Sequence, residues 1–276
     1  MPDTIFPQLP LGEWVESFKN FLTDTFGVVF DTISAVLSFI TENFVSLLEV
    51  PPPLVLIIII ALLSWWAVNW KIGLFAVIGL GLVNNLGYWP EMMETLSLVL
   101  VSVVISMLIG IPIGIWMSQK DSVQAIVTPI LDFMQTMPAF VYLIPAVVFF
   151  SLGMVPGVIA TIIFSMPPTV RLTNLGIREV DEELIEASNA FGSTTGQRLT
   201  KVQIPLGMTS IMAGVNQTIM LSLSMVVIAS MVGAPGLGTV VYRAVTQVDI
   251  GSGFEGGISL VILAMLLDRV TQGVNK

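Results

Sequence analysis

The sequence predicts an all-α polytopic membrane protein with about seven transmembrane helices and an N-terminal amphipathic helix. Three observations carry this. Of the 276 residues, 55% are hydrophobic and 11% are charged, against roughly 25% charged in soluble domains. The mean hydropathy is +0.93. Finally, the apolar runs are long, and short segments holding most of the cations separate them.

Residues 1–50 carry seven acidic residues and one lysine, Lys19. The start lacks the basic n-region and early apolar core of a signal peptide. Phe26, Val29, Phe30, Ile33, Leu37, Ile40, Phe44 and Leu47 recur at helical spacing, interrupted by Asp24, Asp31, Glu42 and Glu49. This pattern fits an amphipathic helix lying at the membrane surface; a helix packed on the protein's own bundle fits equally well. After Pro51–Pro53 the spans begin. Crossing about 30 Å of hydrocarbon takes about 20 mostly apolar residues. Candidate spans are 53–70, 72–89, 95–117, one within 124–152, then 155–170, 204–232 and 256–270. The fourth contains Asp132 and Pro138, so its first part reads as a separate helix near one face. No internal repeat or low-complexity linker is visible. Residues 51–276 therefore read as one transmembrane domain.

Lysine and arginine set the orientation. Alternating the spans with the N-terminus outside puts Lys71, Lys120, Arg171, Arg178, Arg198, Lys201, Arg269 and Lys276 on the cytoplasmic side. The outer side keeps Lys19 and Arg243. The expected topology is multi-pass, with the N-terminus outside and the C-terminus cytoplasmic. Trp65, Trp66, Trp70 and Trp89 fall near span ends, as belt aromatics do.

The segment 171–203 is then a cytoplasmic connection. Asp181, Glu182 and Glu183 suit the first turn of a helix. Gly192 is placed just past its end, where a left-handed residue is needed. Thr194 and Gln197 have capping-box spacing, and Pro205 sits near the start of the next span, where a missing N–H costs little. These rules predict helix–turn–helix at the membrane face. Small residues Ala187, Ser188 and Ala190 allow a partner's surface to approach closely. An ordinary loop folded on its own bundle satisfies the same local rules.

This stretch resembles the coupling motif of ATP-binding-cassette importer permeases. It reads Glu186-Ala187-Ser188, three residues, Gly192, nine residues, Val202, Gln203, Ile204-Pro205. Where the family pattern has a second Ala, Ile and Leu, this chain has Ser188, Val202 and Ile204. The resemblance extends over roughly residues 95–272 through "LDFMQTMPAFVYLIPAVVFF", "PPTVRLTNLGI", "MAGVNQTIMLSLSMVVIASMVGAPGLG" and "LDRVTQ". These are similar to the permeases of glycine betaine and proline betaine importers. The resemblance implies a type I ABC importer transmembrane domain that works as a homodimer. It implies cytoplasmic ABC ATPase subunits bound at coupling helices within 181–203, an extracytoplasmic substrate-binding protein, and osmoprotectant uptake. Glu186 would be a polar anchor and Gly192 the turn that sets the helix angle. Residues 182–200 would sit in a groove of the ATPase.

Other features bound the chemistry. There is no cysteine or histidine, so thiolate and imidazole chemistry are excluded and a zinc site is not expected. No G-x-x-x-x-G-K-[ST] occurs, so a P-loop ATPase must be another subunit; ATP and magnesium would be bound there, and no cofactor is expected in this chain. No nucleophile-and-base set appears, and no nucleic acid is expected as a partner. Asn216 and Gln217 lie mid-span, either lining a pathway or bonding between helices. Asp132 either pairs with a cation in the path or sits paired or solvated near the interface. Phe140, Tyr142 and Met220 are candidate path residues for a quaternary ammonium, which binds aromatic faces through cation–π attraction; simple packing explains them equally. "GAPGLG", Gly233 to Gly238, reads as an outer turn, either near a receptor or simply one needing positive φ. Two further classes compete: an ion-coupled secondary transporter of a small zwitterion, and a scaffold recruiting a cytoplasmic protein through 181–203.

Overall fold

The computed structural model describes residues 10–274; Lys276, assigned above to the cytoplasmic side, lies outside them. Among the described residues all regular structure is helical. Among these residues five helices, the N-terminal one included, are long and apolar enough to cross a membrane, or six if one bent pair counts as a span.

α1 (Leu11–Glu49) is one helix of 39 residues. It touches the bundle in succession rather than along one neighbour. Phe30 stacks on Phe149 with ring centroids 4.7 Å apart. Further along, Leu37 and Thr41 are buried, and the Ser97 hydroxyl donates to the Thr41 carbonyl at 3.3 Å. The rest of its apolar face, including Trp14, Phe18, Phe21 and Phe39, is exposed.

α2 (Pro53–Ala67) and α3 (Trp70–Asn85) correct the first two expected spans. They have 15 and 16 residues, reaching only ~22–24 Å at about 1.5 Å per residue. The break falls at Val68–Asn69, two residues before Lys71. Asn69 causes it: its extended backbone leaves its side chain to accept the Ile72 N–H at 3.1 Å as the cap of α3. Trp89 also departs from expectation. It is 7% exposed and packs with Leu56, Leu80 and Met93 rather than facing an interface.

The centre is α4 (Trp89–Gln119), α7 (Met154–Arg178) and α10 (Ile204–Ser230). Lipid offers no hydrophobic drive between helices, so small residues and hydroxyls must join them. Ser102 and Ser106 of α4 donate to the Val158 and Ile162 carbonyls of α7 at 3.4 and 3.5 Å. Thr169 of α7 meets Thr218 of α10 at 2.7 Å, hydroxyl to hydroxyl. A Cβ added to Gly207 would lie 2.5 Å from the Gly176 carbonyl, and one on Gly176 2.8 Å from the Gly207 carbonyl. Glycine is what lets α7 and α10 cross there.

α7 also runs further than the expected 155–170. It continues through Pro167 and Pro168 and past Arg171 to Arg178. Within it, Arg171 pairs with Asp132. The fourth expected span is broken, as Asp132 and Pro138 suggested. α5 (Asp121–Thr136) is followed by a 3-10 turn at Ala139–Tyr142 and by α6 (Leu143–Phe150), and the two arms make a 109° bend. Met137 is extended because proline follows it. Beside the end of α6, where the Gly153 N–H donates to the Val232 carbonyl at 2.9 Å, α10 leads through the 233–236 turn into α11 (Leu237–Gln247), and α12 (Ile250–Val274) follows. In that turn Gly233 and Gly236 have φ of +88° and +116°, and Leu237 N–H donates to Thr95 Oγ1 at 2.8 Å.

Candidate functional site

The segment between α7 and α10 folds as two short capped pieces. Asp181 accepts the Glu183 N–H at 3.1 Å and opens α8 (Glu182–Ala190). Glu182 and Glu183 fill its first turn, where the helix dipole favours negative charge. Gly192 ends it with φ +77°. Its N–H reaches the Asn189 carbonyl at 2.9 Å, and the Ser193 N–H reaches Ser188 at 3.1 Å. This pair of bonds is the Schellman stop. The Thr194–Gln197 capping box then closes in both directions, at 2.9 and 3.3 Å, and starts α9 (Thr195–Arg198).

Pro205 stands at the start of α10, as expected, but no break precedes it: helix runs on from Thr195 to Ser230, 36 residues. A proline there removes one N–H and crowds the carbonyl four residues back. The chain absorbs this with a π turn at Leu199–Gln203, in which the Ile204 N–H skips back to Leu199.

α8 stands away from the bundle. None of its residues is buried. Glu186, Ala187 and Ala190 are exposed, and Ser188 is half-buried with its hydroxyl turned back to the Ile185 carbonyl at 2.8 Å. Phe191, at its end, is 91% exposed. The structure therefore brings Glu186, Ala187, Ser188, Ala190 and Gly192 onto one projecting element, while Pro205 sits at the foot of α10. Such a helix offers a docking surface of small residues with an acidic start and an aromatic tip.

The second feature is a polar concavity of about 500 Å³ within the helical region. Gln135 of α5, Pro168 of α7, Asn216, Gln217, Met220 and Leu221 of α10, and Asp268 of α12 line it. Asn216 Oδ1 is buried and has no hydrogen-bond partner, an unpaired acceptor within an apolar helix. Asp268 accepts from Gln272 at 2.5 Å. Of the four expected path residues, Asn216 and Met220 are here. Phe140 and Tyr142 are not among the lining residues. Tyr142 is 4% exposed, donates to the Met134 carbonyl and packs on Phe164. Gln135 and Asp268 were missed from sequence. Both are polar positions on apolar helices, a signal that was available. Among the described residues no group of three or more acidic side chains is poised to hold a metal.

Comparison with known proteins adds three findings. The family model described as "Binding-protein-dependent transport system inner membrane component" matches residues 106–276. The glycine betaine transport system permease protein OpuAB of Bacillus subtilis is 56% identical over 97% of this chain and 95% of its own length. The glycine betaine/carnitine transport permease protein GbuB of Listeria monocytogenes is 52% identical over 98% and 97%. The glycine betaine/proline betaine permease ProW of Escherichia coli is 45% identical over 97% and 76%. Among solved structures, the inward-facing MetNI methionine ABC transporter matches with a TM-score of 0.61 at 23% identity, over 66% of this chain and 94% of that one. This last likeness bears on the fold: that of an ABC importer transmembrane domain.

Proposed function

Because the chain belongs to the family of binding-protein-dependent transport system inner membrane components, we propose that it is the membrane-spanning permease of an importer for glycine betaine or a related quaternary-ammonium osmoprotectant. The observation that carries the reading is α8. It is a projecting helix, capped at both ends and holding nothing of the core, at the Glu186…Gly192…Pro205 spacing of the coupling motif. ATPase subunits, binding ATP and magnesium, dock on Glu186, Ala187, Ser188, Ala190 and Gly192. Their closure moves α8 and shifts a two-state bundle. Two copies of the chain form the membrane unit, and a separate extracytoplasmic protein delivers the solute.

The concavity supports a passage rather than a tight site. Its lining has amide groups, one carboxylate and Met220 but no aromatic ring, so the cation–π cage that would hold a quaternary ammonium strongly is missing there. Asn216 supplies a passing polar contact; Phe140 and Tyr142 would take part only if the 3-10 turn moves. The N-terminus lies outside and the C-terminus inside. In this reading α1 lies at the outer membrane face, with Phe30 stacked on Phe149 near the end of α6, although its length and hydropathy would also let it cross and its Phe44 joins one apolar cluster with Ile105 in the middle of α4.

The deciding experiment is uptake of labelled glycine betaine into vesicles holding this chain, its ATPase and its receptor, with ATP on the cytoplasmic face. ATP-dependent accumulation that vanishes without the ATPase is expected. Uptake that ignores ATP and follows a sodium or proton gradient would replace this reading with an ion-coupled transporter.

A further inference from the structure

α8 is held in place by what flanks it, and both flanks lead to one corner of the molecule. On the α7 side, Arg178 lies three residues before the Asp181 cap. Its Nη2 donates to the Met117 carbonyl at 2.9 Å and to Asp121 Oδ1 at 2.7 Å, and its Nε donates to Asn174 Oδ1 at 3.1 Å. On the α10 side, Gln203 sits in the π turn and is 6% exposed. Its Nε2 donates to the Ile177 carbonyl and its Oε1 accepts from Gln119, both at 3.5 Å. Met117, Gln119 and Asp121 form the corner between α4 and α5.

That corner is a hinge by construction. α4 and α5 are joined through the single extended residue Lys120, with φ −143° and ψ 116°. α5 leaves it as an arm with one packed face, Val123, Val127, Leu131 and Met134 against Val170 and Met166. The adjoining face, Ile126, Ile130 and Phe133, is exposed. Near its far end the arm carries Gln135 on the wall of the concavity. Charge-assisted bonds are the strong, directional ones, and the Arg178 fork grips a carbonyl and a carboxylate on both sides of the hinge. A displacement of α8 reaches its flanks first, because α8 buries nothing of its own. From the flanks, the ties lead to the base of α5.

We propose that Arg178 and Gln203 are positioning residues that carry movement of α8 into α5, and through it into the concavity wall. This rests on α8 being the ATPase docking element. It predicts two separable responses, at α8 and at the end of α5.

The chain contains no cysteine, so single cysteines report cleanly. Glu182→Cys on α8 and Thr136→Cys at the end of α5, both exposed positions, are introduced separately into the complex with ATPase and receptor in vesicles. Their reaction rates with a small methanethiosulfonate are compared with and without ADP–vanadate trapping. Both rates are expected to change several-fold in the parent. With Arg178→Leu and Gln203→Leu together, the Glu182→Cys response should persist, the Thr136→Cys response should disappear, and glycine betaine moved per ATP should fall about tenfold. Should that pair assemble poorly, Asp121→Asn cuts the same tie from a side chain that is 90% exposed and should give a smaller change in the same direction. A Thr136→Cys response that survives both sets of changes overturns the proposal. If Glu182→Cys itself fails to respond in the parent, the docking reading of α8 falls, and this proposal with it.

Discussion

Replacing Gly192 by valine tests the coupling helix through backbone conformation alone. Gly192 has φ +77°, and a Cβ built there meets nothing within 4 Å. The substitution therefore makes no collision within the chain. Its cost is conformational: an L-residue with a Cβ in the left-handed region is about 1–2 kcal/mol less favourable, and a β-branched side chain is at the high end. At about 1.4 kcal/mol per factor of ten, the native turn loses roughly 5- to 30-fold in weight against competing geometries. Each competitor breaks the Gly192–Asn189 and Ser193–Ser188 bonds that stop α8, so α8 leaves the bundle at a different angle. Asparagine tolerates the left-handed region better than other residues, so Gly192→Asn should be milder and Gly192→Ala intermediate. The assay is uptake and ATP hydrolysis in the same vesicles. Solute moved per ATP should fall in the order glycine, asparagine, alanine, valine, while membrane insertion and yield stay near the parent. Equal coupling in glycine and valine forms would refute the claim that the left-handed turn aims α8.

Three other outcomes follow. Ala187→Arg adds a long charged side chain to the exposed docking face of α8; it should leave the permease folded and cut ATPase co-purification at least tenfold. Gly207→Ala puts a Cβ 2.5 Å from the Gly176 carbonyl, and overpacking of this kind costs about 1–3 kcal/mol; the detergent-solubilised protein should melt several degrees lower, whereas Gly196→Ala, with open space around it, should not. Asp249 caps α12 outside the spans. Hydrogen bonds from the Ser252 hydroxyl, then from the Ser252 N–H, at 2.7 and 3.2 Å, hold its carboxyl below the usual aspartate range. A depressed folded value contributes stability above the unfolded pKa of about 3.9 and loses it as pH falls through the folded one. The melting difference between the parent and Asp249→Ala should therefore be flat from pH 5 to 8 and shrink only under stronger acid; a difference that vanishes between pH 5 and 7 would contradict it.

The coupling segment was the most legible part of the sequence because its constraints are local. Asp181, Gly192, Thr194 and Gln197 each act on a backbone group within five residues, so spacing alone predicts their bonds. Pro138 marked the broken span for the same reason. Hydropathy misplaced what depends on distant partners. Arg171 looked like a span end, yet α7 runs on through it to Arg178, and its partner Asp132 lies 39 residues away. Trp89 looked like a belt residue until α2, α3 and α4 enclosed it. Pro205 is a different case: the π turn that accommodates it has no residue signature, and helix on both sides reads as a helix start. The concavity was half visible. Asn216 is conspicuous in an apolar run, but only the fold brings Gln135 and Asp268 to the same wall.

The way the helices are joined separates a frame from the parts that can move. α4, α7 and α10 interlock through glycines whose place no other residue can take without backbone shifts, and through hydroxyls bonded to neighbouring carbonyls. Each such bond is worth only about 0.6 kcal/mol in a membrane. Breaking one changes little; sliding α7 against α10 would break the close contacts together, so relative motion there is opposed collectively. α5 is different. Beyond the Arg178 tie at its base, α5 is held by one partly exposed ion pair, Asp132–Arg171, the Tyr142–Met134 bond and one apolar face. Such ties re-form in a new place at small cost, because water can satisfy the separated charges in between. A load applied at α8 therefore meets a stiff path into α7 and α10 and a yielding one through Arg178 into α5. The yielding path ends at Gln135, on the wall of the concavity that also holds Asn216.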